Sequence, residues 1–310
     1  MEKGPRLNPL LVLAFGILAV STASIFVRYA QVYAPSLVIA AWRLSLAALI
    51  LAPLTLKRDR GVLRALQRYE FQLALLSGLF LALHFATWIS SLEFTTVASS
   101  AVLVTTTPLW VALVSPFFLK EPITRPVMIG MLLALMGGIV IGLSDTCSWQ
   151  AGGLVCPGLS EMVHGRAFLG DVLALAGAMF AAAYVIIGRK LRINVTLLSY
   201  IFLVYGAAAI VLIAMMLLAG EPAFGYPPVT YLWFLLLAII PQLLGHSSFN
   251  WALKYVSAAY VSVTLLGEPI GATILAYFFL DEAPTTAKVF GAILILTGIY
   301  VASRVENKKG

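Results

Sequence analysis

Two long apolar stretches carry polar side chains on a helical repeat. His84 and Trp88 are four residues apart, with Ser91 about one turn further on. Gln242, His246 and Asn250 show the same spacing of four. Residues at i and i+4 lie on one face of an α-helix, so each stretch presents a polar stripe. Such stripes can bind a polar solute across a cavity or move protons through imidazole. They can also simply hydrogen-bond neighbouring helices together. Glu268, in Gly267-Glu268-Pro269, adds a carboxylate, and Arg43, in Ala41-Trp42-Arg43, adds a guanidinium. A carboxylate in apolar surroundings must be neutralised, paired with a cation or solvated by cavity water. Three roles are therefore open for Glu268: counter-ion to an amine, proton-coupling site, or structural hydrogen-bonder. Arg43 can attract a carboxylate, pair with Glu268, or reach out to lipid head groups. Together Arg43 and Glu268 suit a zwitterion, with Trp88 packing on its side chain. Tyr184 reads as packing.

The elements that position these groups must be membrane spans. The 310-residue chain is 61% apolar and 11% charged, with a mean hydropathy of +0.99, which excludes a soluble domain. A span needs roughly 20 apolar residues, and ten stretches qualify: about 10–27, 36–56, 71–92, 97–119, 126–143, 169–188, 196–219, 230–252, 258–280 and 285–303. The pI near 9.5 does not indicate nucleic acid, because the positive residues sort by membrane side. With the N-terminus in the cytoplasm, only Arg28, Arg166 and Lys288 fall on outer segments, and Arg43 lies within a span. The remaining Lys and Arg residues are inside. Both termini are then cytoplasmic, and the bilayer is the first partner. The apolar N-terminal stretch ending in Ser21-Thr22-Ala23 resembles a signal peptide. It is expected to be retained, because the first span has a repeat partner in the sixth.

That repeat runs through the whole chain. A shift of 161 residues places Pro108 on Pro269, Glu121 on Glu282, Gly130 on Gly291 and Gly137 on Gly298. It also places Gly16 on Gly177 and Arg28 on Arg189. Five spans per copy is an odd number, so the second copy enters the membrane from the opposite side. The expected fold is an all-α integral membrane protein of ten helices in two inverted five-helix repeats, residues 1–150 and 151–310. Thr107 is the register partner of Glu268 and joins the candidate cavity residues. Pro108 and Pro269 are expected to kink the fourth and ninth spans. The aligned glycines predict close contact between the fifth and tenth spans, which is also a candidate homodimer face. Glu121 and Glu282 each precede a helix and are expected to cap it. Cys147 and Cys156 share an outer loop and are a candidate disulfide. Asn194-Val195-Thr196 matches a glycosylation pattern but sits on the inner side, so it reads as chance.

These stretches also resemble a known family. The segments Thr107-Pro108 through Glu121 and Glu268-Pro269 through Glu282 pair a mid-span proline with Phe-Leu-x-Glu and a glycine-rich helix. With Ala252 to Ala259 and Gly188-Arg189-Lys190, they are similar to the EamA family of the drug/metabolite transporter superfamily. The resemblance implies ten helices around a central cavity, and export of amino acids, other small metabolites or toxic compounds from the cell's inner membrane.

The expected function is thus a secondary active transporter working by alternating access on a small-molecule substrate, with protons as the candidate coupling ion. The sequence has no phosphate-binding loop and no His-Glu-x-x-His pair. No cofactor, metal or catalytic residue is therefore expected, and an intramembrane enzyme is disfavoured. A passive facilitator or channel using the same cavity remains the alternative.

Overall fold

The computed structural model describes residues 7–95, 100, 103–146, 148–150, 153–155, 166–280 and 286–306. Its helices are α1 (Pro9–Val20), α2 (Ala23–Gln31), α3 (Ser36–Arg58), α4 (Arg60–Ala65), α5 (Arg68–Phe94), α6 (Thr107–Phe118), α7 (Arg125–Thr146), α8 (Arg166–Arg192), α9 (Leu197–Leu218), α10 (Pro228–Leu237), α11 (Ser247–Ala252), α12 (Ala258–Leu265), α13 (Glu268–Leu280) and α14 (Thr286–Glu306). A π-helical segment, Ala238–His246, joins α10 to α11. Six stretches are long and apolar enough to cross a membrane: Pro9–Gln31, Ser36–Arg58, Arg68–Phe94, Phe168–Arg192, Leu197–Leu218 and Pro228–Ala252. Three shorter apolar helices, Thr107–Phe118, Arg125–Val140 and Val289–Ala302, accompany them. The protein is a multi-pass helical membrane protein.

Local chemistry sets several helix starts. Asn8 caps α1 by accepting from Leu10 N at 2.9 Å, and Pro9 follows at a position where no amide is needed. Gln67 and Glu70 form a capping box on α5. Thr196 caps α9 by accepting from Ser199 N, and its hydroxyl bonds Asp59. This capping role accounts for the threonine of the Asn-Val-Thr triplet.

The prolines act differently from expectation. Rather than kinking continuous helices, Pro108 and Pro269 each stand second in a new helix, α6 and α13. The first amides of a helix have no internal partner, so proline there forfeits no hydrogen bond. Hydroxyls beside these starts bond back to carbonyls of the preceding turn. Thr106 Oγ1 donates to Leu103 O at 2.7 Å, Thr107 Oγ1 to Val104 O at 2.8 Å and Thr264 Oγ1 to Val261 O at 2.7 Å. The first span also breaks, at Ser21-Thr22. Ser21 Oγ reaches Ile17 O at 2.7 Å and Glu268 O at 3.1 Å, which ties that break to the start of α13.

Helix α5 packs between α8 and α9, and α9 also packs on α3. Helix α7 packs along α14. A Cβ on Gly130 would overlap Gly298 O and come 2.9 Å from Ala302 Cβ. One on Gly137 would overlap Gly291 O and come 2.7 Å from Ile295 Cγ1. The order of contacts reverses along the two helices, so α7 and α14 are antiparallel. Without a hydrophobic drive between helices in lipid, close backbone approach supplies the association energy. Gly137→Leu is therefore expected to destabilise the protein by about 1–3 kcal/mol through overpacking. A lowered Tm in detergent would show it.

Two short strands, β1 (Ser148–Gln150) and β2 (Gly153–Val155), pair antiparallel with Ser148 opposite Val155. Cys147 and Cys156 adjoin this hairpin in sequence and lie outside the described residues, as does Glu282.

Candidate functional site

Helices α1, α3, α5, α6, α8, α11, α12 and α13 enclose a central cavity of about 80 Å³. Arg43, His84, Trp88, Thr107, Pro108, His246, Asn250 and Glu268 all line it. Of the predicted cavity residues, Gln242 stands apart: it is fully buried behind Arg43. Of the two prolines, only Pro108 reaches the cavity.

Arg43 does not reach for head groups. It is fully buried, because α3 enters the core about a third of the way along and its side chain turns inward. Its Nε donates to Gln242 Oε1 at 2.9 Å, and its guanidinium carbon lies 4.1 Å from the centroid of the Phe85 ring. One edge is thus hydrogen-bonded and one face is stacked on an aromatic ring. The remaining nitrogens, Nη1 and Nη2, have no hydrogen-bond partner among the described residues. Arg43 and Glu268 face the same cavity but do not form a direct ion pair.

His84 Nδ1 lies 2.9 Å from Gly177 O. A carbonyl can only accept, so Nδ1 carries the hydrogen and Nε2 is left as an acceptor or protonation site. The His84 and Trp88 rings are parallel within 4°, with centroids 6.1 Å apart, which makes a flat aromatic wall. His246 meets the edge of Phe85, centroids 5.3 Å apart.

Asn250 Nδ2 donates to Tyr184 Oη at 2.5 Å and to Tyr205 Oη at 3.3 Å. Tyr205 Oη in turn lies 3.3 Å from Ser247 Oγ and, more distantly, 3.5 Å from Gln242 O. Tyr184 therefore belongs to the cavity wall rather than to plain packing. Phe85, Tyr184, Tyr205 and Ser262 are site residues that the polar stripes did not reveal. The available signal was the depth of the tyrosines: a Tyr hydroxyl buried in a span needs a partner.

The π segment marks a one-residue change in the repeat register, although His84 and His246, 162 apart, match neither side of it. Before it and through its first turn, the buried positions Ala74, Ser77, Gly78, Leu81 and Ala82 of α5 recur 160 residues later as Phe234, Leu237, Ala238, Pro241 and Gln242. Below it, Trp88, Ile89, Ser91 and Leu92 recur 161 residues later as Phe249, Asn250, Ala252 and Leu253. A π turn accommodates one extra residue, and such turns are frequent at functional sites. Gln242, within the segment, bonds Arg43, and Asn250, beyond it, keeps the 161-residue register.

A multi-pass helical protein with a polar, partly charged cavity among its spans belongs with membrane transporters, and comparison with known proteins agrees. The EamA-like transporter family matches residues 7–143 and again 168–304, displaced by 161 residues at both ends. The chain belongs to this family. It is 24% identical over 223 residues to an uncharacterized transporter of Archaeoglobus fulgidus, covering 70% of this chain and 71% of that one. It is 22% identical over 270 residues to the uncharacterized transporter YyaM of Bacillus subtilis, covering 86% and 84%. A protein of known crystal structure shares the fold with a TM-score of 0.76 and 20% identity, covering 97% of this chain and 98% of that one.

Proposed function

We propose that the protein is a secondary active transporter that exports small metabolites, such as amino acids, or toxic compounds across the inner membrane. It works by alternating access at the central cavity. The observation that carries this reading is the buried Arg43, whose Nη1 and Nη2 lack partners while Glu268, His84 and His246 share its cavity. A buried cation without a carboxylate is costly and is retained where a ligand completes it. Arg43 takes the carboxylate of a zwitterionic substrate, Glu268 takes its ammonium group or a coupling proton, and Trp88 packs on the side chain. The cavity of about 80 Å³ is smaller than the roughly 150 Å³ that a benzene-sized ligand fills. Substrate thus enters only when the helices part.

The reading includes ten spans in two inverted five-helix repeats, residues 1–150 and 151–310, with both termini in the cytoplasm. Two kinds of observation support it. The register-equivalent helices α7 and α14 cross antiparallel through register-equivalent glycines. Gly16 packs against Phe249 just as Gly177, its repeat partner, packs against Trp88. Such exchanged contacts let two halves trade conformations, opening the cavity to each side in turn. The broken helices at Ser21, Pro108 and Pro269 supply flexible points at the cavity edge.

The test is counterflow in proteoliposomes loaded with amino acids and small amines, with and without a pH gradient. Saturable exchange of labelled substrate is expected. Flux that rises linearly with concentration and shows no counterflow would replace the carrier with a passive facilitator or channel. The Cys147–Cys156 disulfide is tested separately. Labelling of the intact protein by a thiol reagent is expected to require prior reduction, read as a mass shift.

A further inference from the structure

Among the described residues, the ion pair within bonding distance joins the two family repeats, in segments that the Lys and Arg distribution assigns to the cytoplasmic side. Arg189, near the C-terminal end of α8, donates from Nε to Glu121 Oε1 at 2.6 Å. Glu121 lies between α6 and α7, in the first repeat, and Arg189 lies in the second. The pair is partly buried, with side-chain exposures of 18% and 24%.

Its other bonds tie in more elements. Arg189 Nη1 donates to Leu253 O at 2.7 Å and to Lys254 O at 3.2 Å, at the end of α11. Glu121 Oε2 accepts from Ala258 N at 3.4 Å, the first residue of α12. Glu121 was expected to cap the helix that follows it in sequence, but it caps α12 of the other repeat instead. The preceding residue, Lys120, has φ +57°, an unusual backbone conformation for a residue with a side chain, and it ends α6 just before Glu121.

The pair borders a second cavity of about 230 Å³, whose wall also includes Ser115, Thr124, Tyr255 and Ser257. Ser115 Oγ and Thr124 Oγ1 are buried there without partners. Leu253 links this vestibule to the central cavity: it lines the central cavity, and its carbonyl accepts from Arg189, which lines the vestibule.

We propose that Arg189–Glu121 is the latch of the inner mouth: it holds the ends of α6, α8, α11 and α12 together across the two repeats, and its opening joins the vestibule to the central cavity. Opening separates two partly buried opposite charges, so the closed state is favoured while they stay paired, and loss of either charge shifts the population toward the open state.

The inference rests on alternating access as proposed above, and its test needs no substrate. Cys147 and Cys156 are replaced by serine and a single cysteine is placed at Ser262, a buried wall residue of the central cavity. A membrane-impermeant thiol reagent is then applied to inside-out and right-side-out vesicles. Glu121→Gln and Arg189→Gln are each expected to speed labelling from the inner face by about three- to fivefold, the shift that losing one partly exposed ion pair makes in a two-state equilibrium. The double variant is expected to fall well short of the product of the single effects, because either substitution alone already breaks the pair. Unchanged inner-face labelling would overturn the latch, as would additive effects in the double variant. Labelling that rises equally from both faces would report unfolding rather than opening and would overturn it too. Failure to transport any tested substrate would count against the proposed function without touching this result.

Discussion

Arg43→Gln is expected to lower counterflow by roughly 100-fold or more, while the purified protein melts at the same temperature or higher. The two halves of this result come from different physics. Arg43 lines the cavity with Nη1 and Nη2 buried and without partners, and Nε is held by Gln242 over the Phe85 ring. A guanidinium oriented in this way offers a fork that matches a carboxylate. Removing one partner of a buried charge pair in a complex costs about 2–5 kcal/mol, and each 1.4 kcal/mol is tenfold. In the unliganded protein, however, Arg43 has no carboxylate at bonding distance. Replacing an uncompensated buried charge with a neutral group relieves a desolvation penalty, so stability is kept or gained. Arg43→Lys keeps the charge but loses the fork, and is expected to sit between the two. If Arg43 were structural, the order would invert: the melting temperature would fall and affinity would survive. Substrate-dependent melting curves alongside counterflow separate these outcomes.

Glu268→Gln is expected to abolish accumulation against a gradient while leaving exchange at equal pH within severalfold of the native rate. Glutamine copies the shape of the protonated carboxyl and cannot release a proton. One proton carried per cycle would let a pH gradient of one unit, worth about 1.36 kcal/mol, sustain tenfold accumulation. The variant is expected to stop at equal concentrations on both sides. Glu268 suits this role because it begins α13 at the cavity edge, where its backbone carbonyl holds the broken first span through Ser21. A change of charge there acts where α1, α2 and α13 meet. Unchanged accumulation, for zwitterionic and neutral substrates alike, would remove Glu268 from both coupling and binding.

The two predictions concern residues that the sequence exposes for one reason: charge is rare in apolar spans. The same holds for the stripes His84–Trp88 and Gln242–His246–Asn250, whose spacing of four places each set on one helical face. Here a local rule sufficed, because helix periodicity is fixed by the backbone and needs no knowledge of neighbours. The 161-residue register also gave the glycines of α7 and α14, since close helix approach in lipid depends on small residues that composition shows directly.

What the register could not give was where the symmetry fails. His84 and His246 remain inexactly equivalent, and only the structure shows the nearby π segment, across which the register changes by one and within which Gln242 bonds Arg43. Pro108 and Pro269 signalled disturbed helices, and the structure shows new helices starting there, with the Thr106, Thr107 and Thr264 hydroxyls bonding back to the preceding turn. Tyr184 and Tyr205 became site residues only through Asn250, and Glu121 found its partners in Arg189 and Ala258 rather than in the helix that follows it.

The sequence by itself determined a membrane-embedded chain of the EamA-like family, its repeat, and the identity of the charged and stripe-forming polar groups in its spans. Those features follow from hydropathy, helical period and internal likeness, all of which are properties of neighbouring residues or of aligned copies. The tertiary structure decided which polar groups meet, which guanidinium nitrogens are left without a partner and which pair joins the two repeats. Arg43 and Gln242 are separated by 199 positions, and no local pattern encodes a hydrogen bond over that distance. It arises because the helices pack in one arrangement, and buried polar atoms must take whatever partners that packing brings within reach.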